Sequence, residues 1–564
     1  MKKPGKAQQA PPGEDRLKQF SVEIDDQRIF SAFLSRGYLP EVFPPIFSSK
    51  EWASKIRGKS VQIEFSGELN KIPYSCTKRG NGRRYFDFVH PASAVASSAW
   101  MSRHWVEISK FCNTSKTAPI DFDLSYDEDK RSFATSSFDK VLDVSKKRLA
   151  GARHVVRADV AKYYSSIYTH IIPWALNGKK VSKADRKANS TSVYGNGLDW
   201  ATRIGQGDQT KGISVGPDFS RVIGELVGSA IDHSVLEKIK ANHAGYVRNI
   251  DDFCIGAHDL TSAEEILHAL QESLRSFELE LNDEKTSIQE ASTLIDESWV
   301  HDLELSLGGS KQDVIKAVDR SFDRAFHLSS TTSSDSSIKY LVRSVDRLTS
   351  DDCIDFSAVE HHIVRAMVNF PHCLDYCILL YLKQHELGAT NEPLWSGVLA
   401  REFSRHMALS HDHEVAWILT AVLGTKKRLV DVKFSADANR QICNTLLMKC
   451  LDEGLISFDQ DSFFTEVLPE SEVNSNWLLS NEVVANDWGT ASFRRDVTKT
   501  RQQVVGENCS FLDSEFYDRL NLEDSDRAIP DRYNRYDDGI AEEEEEEEDD
   551  LDIGYVRAMD NDRT

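Results

Sequence analysis

The chain contains no run of about 18 apolar residues, so nothing in it reads as a membrane span. Its first residues carry lysines but no apolar segment follows them, which argues against a signal peptide. No Cys-x-x-Cys spacing occurs, and the nine cysteines are an odd, scattered set, which points to a reduced, cytoplasmic setting. Cys373 and Cys377 stand near His361, His362 and His372. Their surroundings are helical and leucine-rich, so buried thiols are expected there rather than a zinc site. An excess of positive charge is also missing. Lys and Arg number 68 against 90 Asp and Glu, a net charge of −22, which speaks against a protein coated in nucleic acid.

What charge there is sits unevenly. Glu542 to Asp550 is an unbroken acidic block, whereas Lys140 to Arg157 and Lys179 to Lys187 are each basic with one aspartate inside, Asp143 and Asp185. Binding of a polyanion depends on such local fields, not on the total; a solvated face is the plain alternative. With 564 residues, 40% hydrophobic and 28% charged, the chain has room for two or three domains with large cores.

In order, the first 18 residues read as flexible, rich in Pro, Gly, Gln and Lys. Arg36 to Phe47 interrupts a helical pattern with closely spaced prolines and predicts an extended, aromatic connector. A Gly-Asn-Gly turn between Tyr74 and Tyr85 predicts a hairpin. From about 308 onward the texture becomes helix after helix, expected at Gln312–Leu328, Ser337–Leu348, Ala358–Val368, Leu374–His385, Pro393–Met407, Glu414–Leu423 and Asp437–Leu451. Pairs at about 40 residues resemble a HEAT-type array. The expected division is a leader at 1–30, mixed segments at 31–150, an α/β unit at 151–300, a helical-repeat domain at 301–525 and an acidic, disordered tail at 526–564.

Gly245 to Ala257 carries the chemistry. A β-branched and aromatic run enters Asp251-Asp252 and a second short apolar run leaves them, which predicts strand, tight turn, strand. Asp-Asp alone is usually a solvated turn, and the pair recurs at 25–26, 351–352, 537–538 and 549–550. Its neighbours set 251–252 apart. His154 to Asp159 is a β-rich run ending in a carboxylate, followed by Tyr163, Tyr164 and Ile167 at helical spacing. Lys211-Gly-Ile-Ser-Val-Gly-Pro217 opens an amphipathic helix with glycines that allow close backbone approach. A helix from Thr261 to Phe277, capped near Thr261 and Ser262, leads to Leu279–Ile288, which presents Asn282 and Lys285. This order matches the palm of a right-hand polymerase, where carboxylates hold two Mg²⁺ ions roughly 3.5–4 Å apart. Asp159 and Asp251 would bridge the ions, Asp252 would support one, and Lys285 would stabilise or protonate the leaving group.

The motifs are similar to those of reverse transcriptases, and more narrowly to the bacterial antiphage and abortive-infection group. Those that carry the likeness are Arg36-Gly-Tyr-Leu-Pro to Phe47, Tyr163 to Leu176 with Gly178-Lys179, and Gly212 to Pro217 with Ser220 and Glu225. The resemblance spans about residues 30–300. It implies fingers and a palm of α/β (α+β) class followed by an all-α C-terminal domain. It also implies RNA-directed synthesis of DNA from dNTPs, dependence on Mg²⁺ with Mn²⁺ as substitute, and a role in defence against phage. The metal set it implies is Asp159, Val160, Asp251 and Asp252. For the nucleotide it implies Tyr164, which screens the ribose 2′-hydroxyl, with Lys211, Gly212, Asn249 and Lys285. Two positions depart from the pattern: Asn249 replaces the tyrosine of Tyr-x-Asp-Asp, and Lys211 stands where glutamine is common. The implied partners are a dedicated non-coding RNA, the DNA product, a partner protein or second polymerase, and further copies of the chain, with no membrane. Untemplated or protein-primed synthesis is the alternative within the class, with Tyr517, Tyr533, Tyr536 and Tyr555 as candidate primers. A catalytically idle palm serving as an RNA-binding scaffold is the alternative outside it. The acidic tail is expected either to compete with nucleic acid for the basic groove or to be solubilising disorder.

Overall fold

The computed structural model describes residues 18–500, 509–513 and 516, apart from 66–67, 79–81, 120, 128–129, 134–137, 241, 294–302, 304–309, 332–335 and 431–436. The acidic tail and the four tyrosines named as candidate primers lie outside the described residues. The described strands are β1 (Lys18–Glu23), β2 (Ser60–Phe65), β3 (Ile72–Thr77), β4 (Arg83–Phe88), β5 (His154–Asp159), β6 (Tyr246–Asn249), β7 (Asp252–Ala257) and β8 (Ser287–Glu290). They form two antiparallel ribbons, β1-β2 and β3-β4, and one four-stranded antiparallel sheet in the order β6-β7-β5-β8. The chain is therefore mixed α/β with an all-helical C-terminal region.

The sheet positions the chemistry. In β5 only Arg157 is fully exposed, as expected of a central strand rich in β-branched residues. The helix Leu260–Ser276 packs across β5, β7 and β8, and against the helix Asp218–Ile239. Its N-cap is Asp259, whose carboxylate accepts from Ser262 N at 2.8 Å. This corrects the cap expected at Thr261 and Ser262: Asp259 is the residue with extended backbone, so its oxygen faces the free amides. β1 and the start of the helix Gln27–Ser35 fall within the stretch read as a leader, because Phe20 and Val22 pack against the core while their neighbours pair with β2.

The 36–47 connector is turned rather than extended. Phe43 N donates to Pro40 O and Phe47 N to Pro44 O, so each proline begins a turn that sends aromatics inward. Gly37 and Gly216 hold this strap on the molecule. Gly37 O accepts from Asp218 N at 2.7 Å, and a Cβ on Gly216 (φ +129°) would stand 2.7 Å from Pro40 Cγ. Asp218 is buried and accepts from Arg131, Ser132 and the Phe133 amide.

All seven helices expected beyond 308 are present with shifted ends, and three more follow at Gln460–Val467, Trp477–Ala485 and Ala491–Thr500. Lys311–Thr331 with Ser336–Ser350, Phe356–Asn369 with Leu374–Glu386, and Glu392–Ala408 with Asp412–Thr425 form three pairs. First helices touch first helices and second touch second, giving two layers. No single described helix is long and apolar enough to cross a membrane.

The helical region is docked on the β3-β4 ribbon rather than tethered to it. Glu414, buried at the start of Asp412–Thr425, accepts from Arg83 Nη1 at 2.8 Å and Nη2 at 3.1 Å, and from Thr77. Trp417 Nε1 donates to Val42 O, and Trp477 Nε1 to Asn70 O. A strap at 509–513 closes the same junction. Phe47 bridges Leu512 antiparallel, Ser48 N donates to Phe511 O, and Asp513 N to Ile46 O. Phe511 is fully buried among the rings of Tyr38, Trp52, Phe88 and Trp477.

Burial would raise the Glu414 carboxyl pKa, but His413 beside it and the bonds from Arg83 and Thr77 outweigh this and hold it at about 2. A depressed acid stabilises the fold above its unfolded pKa, and that contribution is lost as pH falls from about 4.5 toward 2. Glu414→Gln should therefore lower the midpoint of urea unfolding at pH 7. The wild-type and variant midpoints should approach each other as pH drops through that window.

Candidate metal centre

β6 and β7 are joined by a two-residue turn, Ile250-Asp251, with Asn249 paired to Asp252. Ile250 has φ +58°, the left-handed region, where a β-branched residue is a real outlier costing on the order of 1–3 kcal/mol. The same β7 pairs with β5 so that Asp159 lies directly opposite Asp252. Val160 N donates to Asp251 O at 3.2 Å. Asp159, 92 residues before Asp251 (251 less 159), is thus brought to the same end of the sheet as Asp251 and Asp252 by backbone pairing alone.

Asp159 is buried at 7% exposure, Asp251 is half-buried, and Asp252 lies on the open rim. Loss of solvation, then the charges of Asp252 and Asp159, push the Asp251 carboxyl up to about 7. Loss of solvation and Asp159 also raise Asp252. Two raised carboxyls beside a third are the mark of a donor set short of positive charge, which divalent cations supply. Part of that charge comes from Lys285, whose Nζ donates to Asp159 Oδ2 at 2.7 Å, while Asn282 Nδ2 donates to Oδ1 at 3.1 Å. Hydrogen bonding to Asp159 holds the Lys285 pKa up. The lysine expected at the leaving group lies on the Asp159 carboxylate in this structure.

Among the described residues, the two groups whose ligand atoms all converge within 4.8 Å are Asp319–His361–His362 and His406–His411–Glu414, both in the helical region. Cys373 and Cys377 are buried free thiols. Neither group is a ready cage: His362 Nε2 already pairs with Asp319 Oδ1 at 2.8 Å, and Glu414 already serves Arg83. The aspartate trio is not among the converging groups.

Of the expected nucleotide residues, Asn249 pairs with Asp252 across the hairpin and Lys285 reaches Asp159. Tyr164 lies on the short helix Tyr163–Ser166, and its hydroxyl would stand 3.1 Å from a Cβ on Gly224, so the glycine gives the ring room. Gly212 has φ +84° and its N–H donates to Ile167 O, while Ile213 N donates to Tyr164 O. Lys211 is exposed and bridges Tyr168. Asn249 is half-buried beside the turn. The basic stretch at 179–187 is partly engaged: Lys179 and Lys183 lie over the Trp174 ring at 4.2 and 5.4 Å, and Lys179 pairs with Glu278.

No protein family and no curated protein matches the chain. Among solved structures, it is similar to the apo telomerase of Candida tropicalis truncated from its C-terminal domain, at 12% identity over 40% of this chain and 51% of that one, with a TM-score of 0.26. For Candida albicans telomerase in complex with a TWJ fragment of telomeric RNA, the identity is 12%, the shares 64% and 62%, and the TM-score 0.27. For the apo Candida tropicalis telomerase they are 8%, 64%, 67% and 0.30. The chain thus spans about half to two thirds of the length of these telomerases. TM-scores this low carry no weight in assigning a function.

An acid whose pKa is raised on folding stabilises the fold below its unfolded pKa, and that stabilisation is lost as pH rises through the folded value. In EDTA at pH 8, Asp251→Asn should melt about 1–3 °C above wild type, and at pH 4 the difference should vanish. Adding Mn²⁺ at pH 8 should raise the wild-type melting temperature more than that of the variant.

Proposed function

We propose that the chain is a reverse-transcriptase-type DNA polymerase that transfers deoxynucleotides onto a primer hydroxyl by two-metal chemistry, copying an associated RNA. The observation that carries this reading is the register of β5 on β7, which sets Asp159 across from Asp252 and next to Asp251 at the end of a four-stranded antiparallel sheet. Asp159, Asp251 and Asp252 would hold the ions, with the Val160 main chain beside them. When bound, two Mg²⁺ ions would activate the primer hydroxyl and neutralise charge on the departing pyrophosphate.

The chain's own residues prepare that chemistry. Lys285 and Asn282 hold Asp159 in one orientation before a cation arrives. Lys285 stays protonated and remains within reach of a leaving phosphate once it is released from Asp159. Tyr164, whose ring packs beside Gly224, would crowd a ribose 2′-hydroxyl. Exposed Lys211 and the basic helix Lys179–Ala184 supply contacts to phosphate backbones. On this reading the strands and helices between 151 and about 290 are the palm, and the β3-β4 ribbon with the 36–47 strap belongs to the fingers. The stacked helix pairs stand where a thumb would follow, in a HEAT-like array. The resemblance over residues 30–300 extends the proposal to phage defence.

Purified chain with Mg²⁺, dNTPs and its co-purifying RNA should give a DNA product, and Asp251→Ala should slow it by roughly 10³-fold, about 4 kcal/mol of transition-state charge stabilisation. Tyr164→Ala should admit NTPs. A wild-type protein that binds RNA yet makes no nucleotide-dependent product would sink the proposal in favour of the scaffold reading. Product sequence separates templated from untemplated synthesis, and phage plating of cells carrying wild type or Asp251→Ala tests the defence role.

A further inference from the structure

The strand that leads into the Asp251 turn contains a charged residue where an apolar one is expected. Arg248 is 1% exposed, on the same side of β6 as Tyr246. Each part of its guanidinium is engaged. Nε donates to Asp232 Oδ2 at 2.7 Å, Nη2 to Glu225 Oε2 at 3.0 Å and Ser229 Oγ at 3.4 Å, and Nη1 to the main-chain carbonyl of Ile250 at 3.0 Å. Asp232, fully buried on the helix Asp218–Ile239, also accepts from Tyr246 and Thr117, and the Arg248 amide donates to Thr117 O. A Cβ on Gly228 would lie 2.6 Å from Nη1, so that glycine is what leaves space for the guanidinium.

The bond to Ile250 O falls at a decisive place. Ile250 is the residue in the left-handed region, and its carbonyl belongs to the peptide unit from which the Asp251 Cα hangs. Turning that peptide over would change ψ of Ile250 and φ of Asp251 and so re-aim the Asp251 side chain. The peptide on the other side of Asp251 is held as well, by Val160 N on Asp251 O. Asp251 is therefore fixed from both sides, by β5 on one and by a buried ion-pair network on the other.

We propose that Arg248 is a positioning residue for the metal centre: through Ile250 O it locks the strained turn so that Asp251 and Asp252 meet divalent ions already oriented. The inference rests on the nucleotidyl-transfer reading for its catalytic consequence, but ion binding alone tests the geometry. Arg248→Lys keeps a cation between Asp232 and Glu225, and its single ammonium cannot also reproduce the planar fork that reaches Ile250. Gly228→Ala leaves every charge in place and pushes the guanidinium off Ile250.

The full-length chain and both variants are titrated with Mn²⁺ without nucleotide, by electron paramagnetic resonance and by melting-temperature shift, and then assayed for dNTP incorporation against Mg²⁺. Both variants should bind Mn²⁺ about 10-fold more weakly, need correspondingly more Mg²⁺ for half-maximal rate, and lose kcat by about 10–100-fold. KM for primer-template should stay within about twofold. Arg83→Lys, which weakens a buried ion pair remote from the sheet end, should lower the melting temperature and leave Mn²⁺ affinity unchanged. A folded Arg248→Lys or Gly228→Ala protein with wild-type Mn²⁺ affinity and Mg²⁺ midpoint overturns the positioning role. If the wild-type chain itself takes up no Mn²⁺ and incorporates no dNTP, it is the proposed function that falls.

Discussion

The antiparallel register of β5 on β7 is the constraint on which the rest depends. Side chains alternate along a strand, so a slip of one residue would turn Asp159 to the opposite face and bring Ala158 against Asp252. The register is held by what the strands bury. Val156, Ala158, Phe253 and Ile255 are all buried on one face of the sheet, opposite the face that carries Arg157 and Cys254. A hydrophobic pattern with no chemistry of its own thus decides where three carboxylates meet. The loss of solvation and the repulsion they suffer there, which raise the Asp251 and Asp252 carboxyls, are stability given up locally and offset by the sheet around them.

Around that sheet the molecule is built from buried polar junctions rather than from apolar contacts alone. Asp218 ties the proline-rich strap to the long central helix, Asp232 and Glu225 tie the same helix to the Asp251 turn, and Glu414 ties the helical region to the β3-β4 ribbon. In each case an arginine fork meets a carboxylate that is fully or largely out of water. Such pairs add little net stability over an apolar replacement, but they tolerate few geometries. The small residues that accompany them, Gly37 and Gly228, are the steric side of the same arrangement.

Much of this was legible in the residues. The Asp-Asp turn, Asp159 at a strand end, the hairpin between Tyr74 and Tyr85 and the seven helices follow from local periodicity and turn chemistry, which act over a few residues. The clamp of Asn282 and Lys285 on Asp159 was legible only in part: both residues were expected near the site, but their target was not, because it is set by a bridge between Val160 and Leu281 across the chain. Arg248 went unnoticed, although an arginine between Val247 and Asn249 in an otherwise inward-facing strand was a signal of a buried partner. The Asp259 cap, the turned strap and the 509–513 segment were missed for one reason. Each depends on which of several adequate local conformations tertiary contacts select.

That last segment bears on how the protein is made. Phe511 fills a gap lined by Tyr38, Trp52 and Phe88, more than four hundred residues earlier in the chain. The cluster around those rings therefore cannot close until residue 511 has been made and brought back over it. Contacts so distant in sequence are slow to form, and the exposed aromatic cleft is the surface a nascent chain most needs shielded by chaperones until then. On this architecture the N-terminal aromatic core is completed by a residue that follows it by more than four hundred positions.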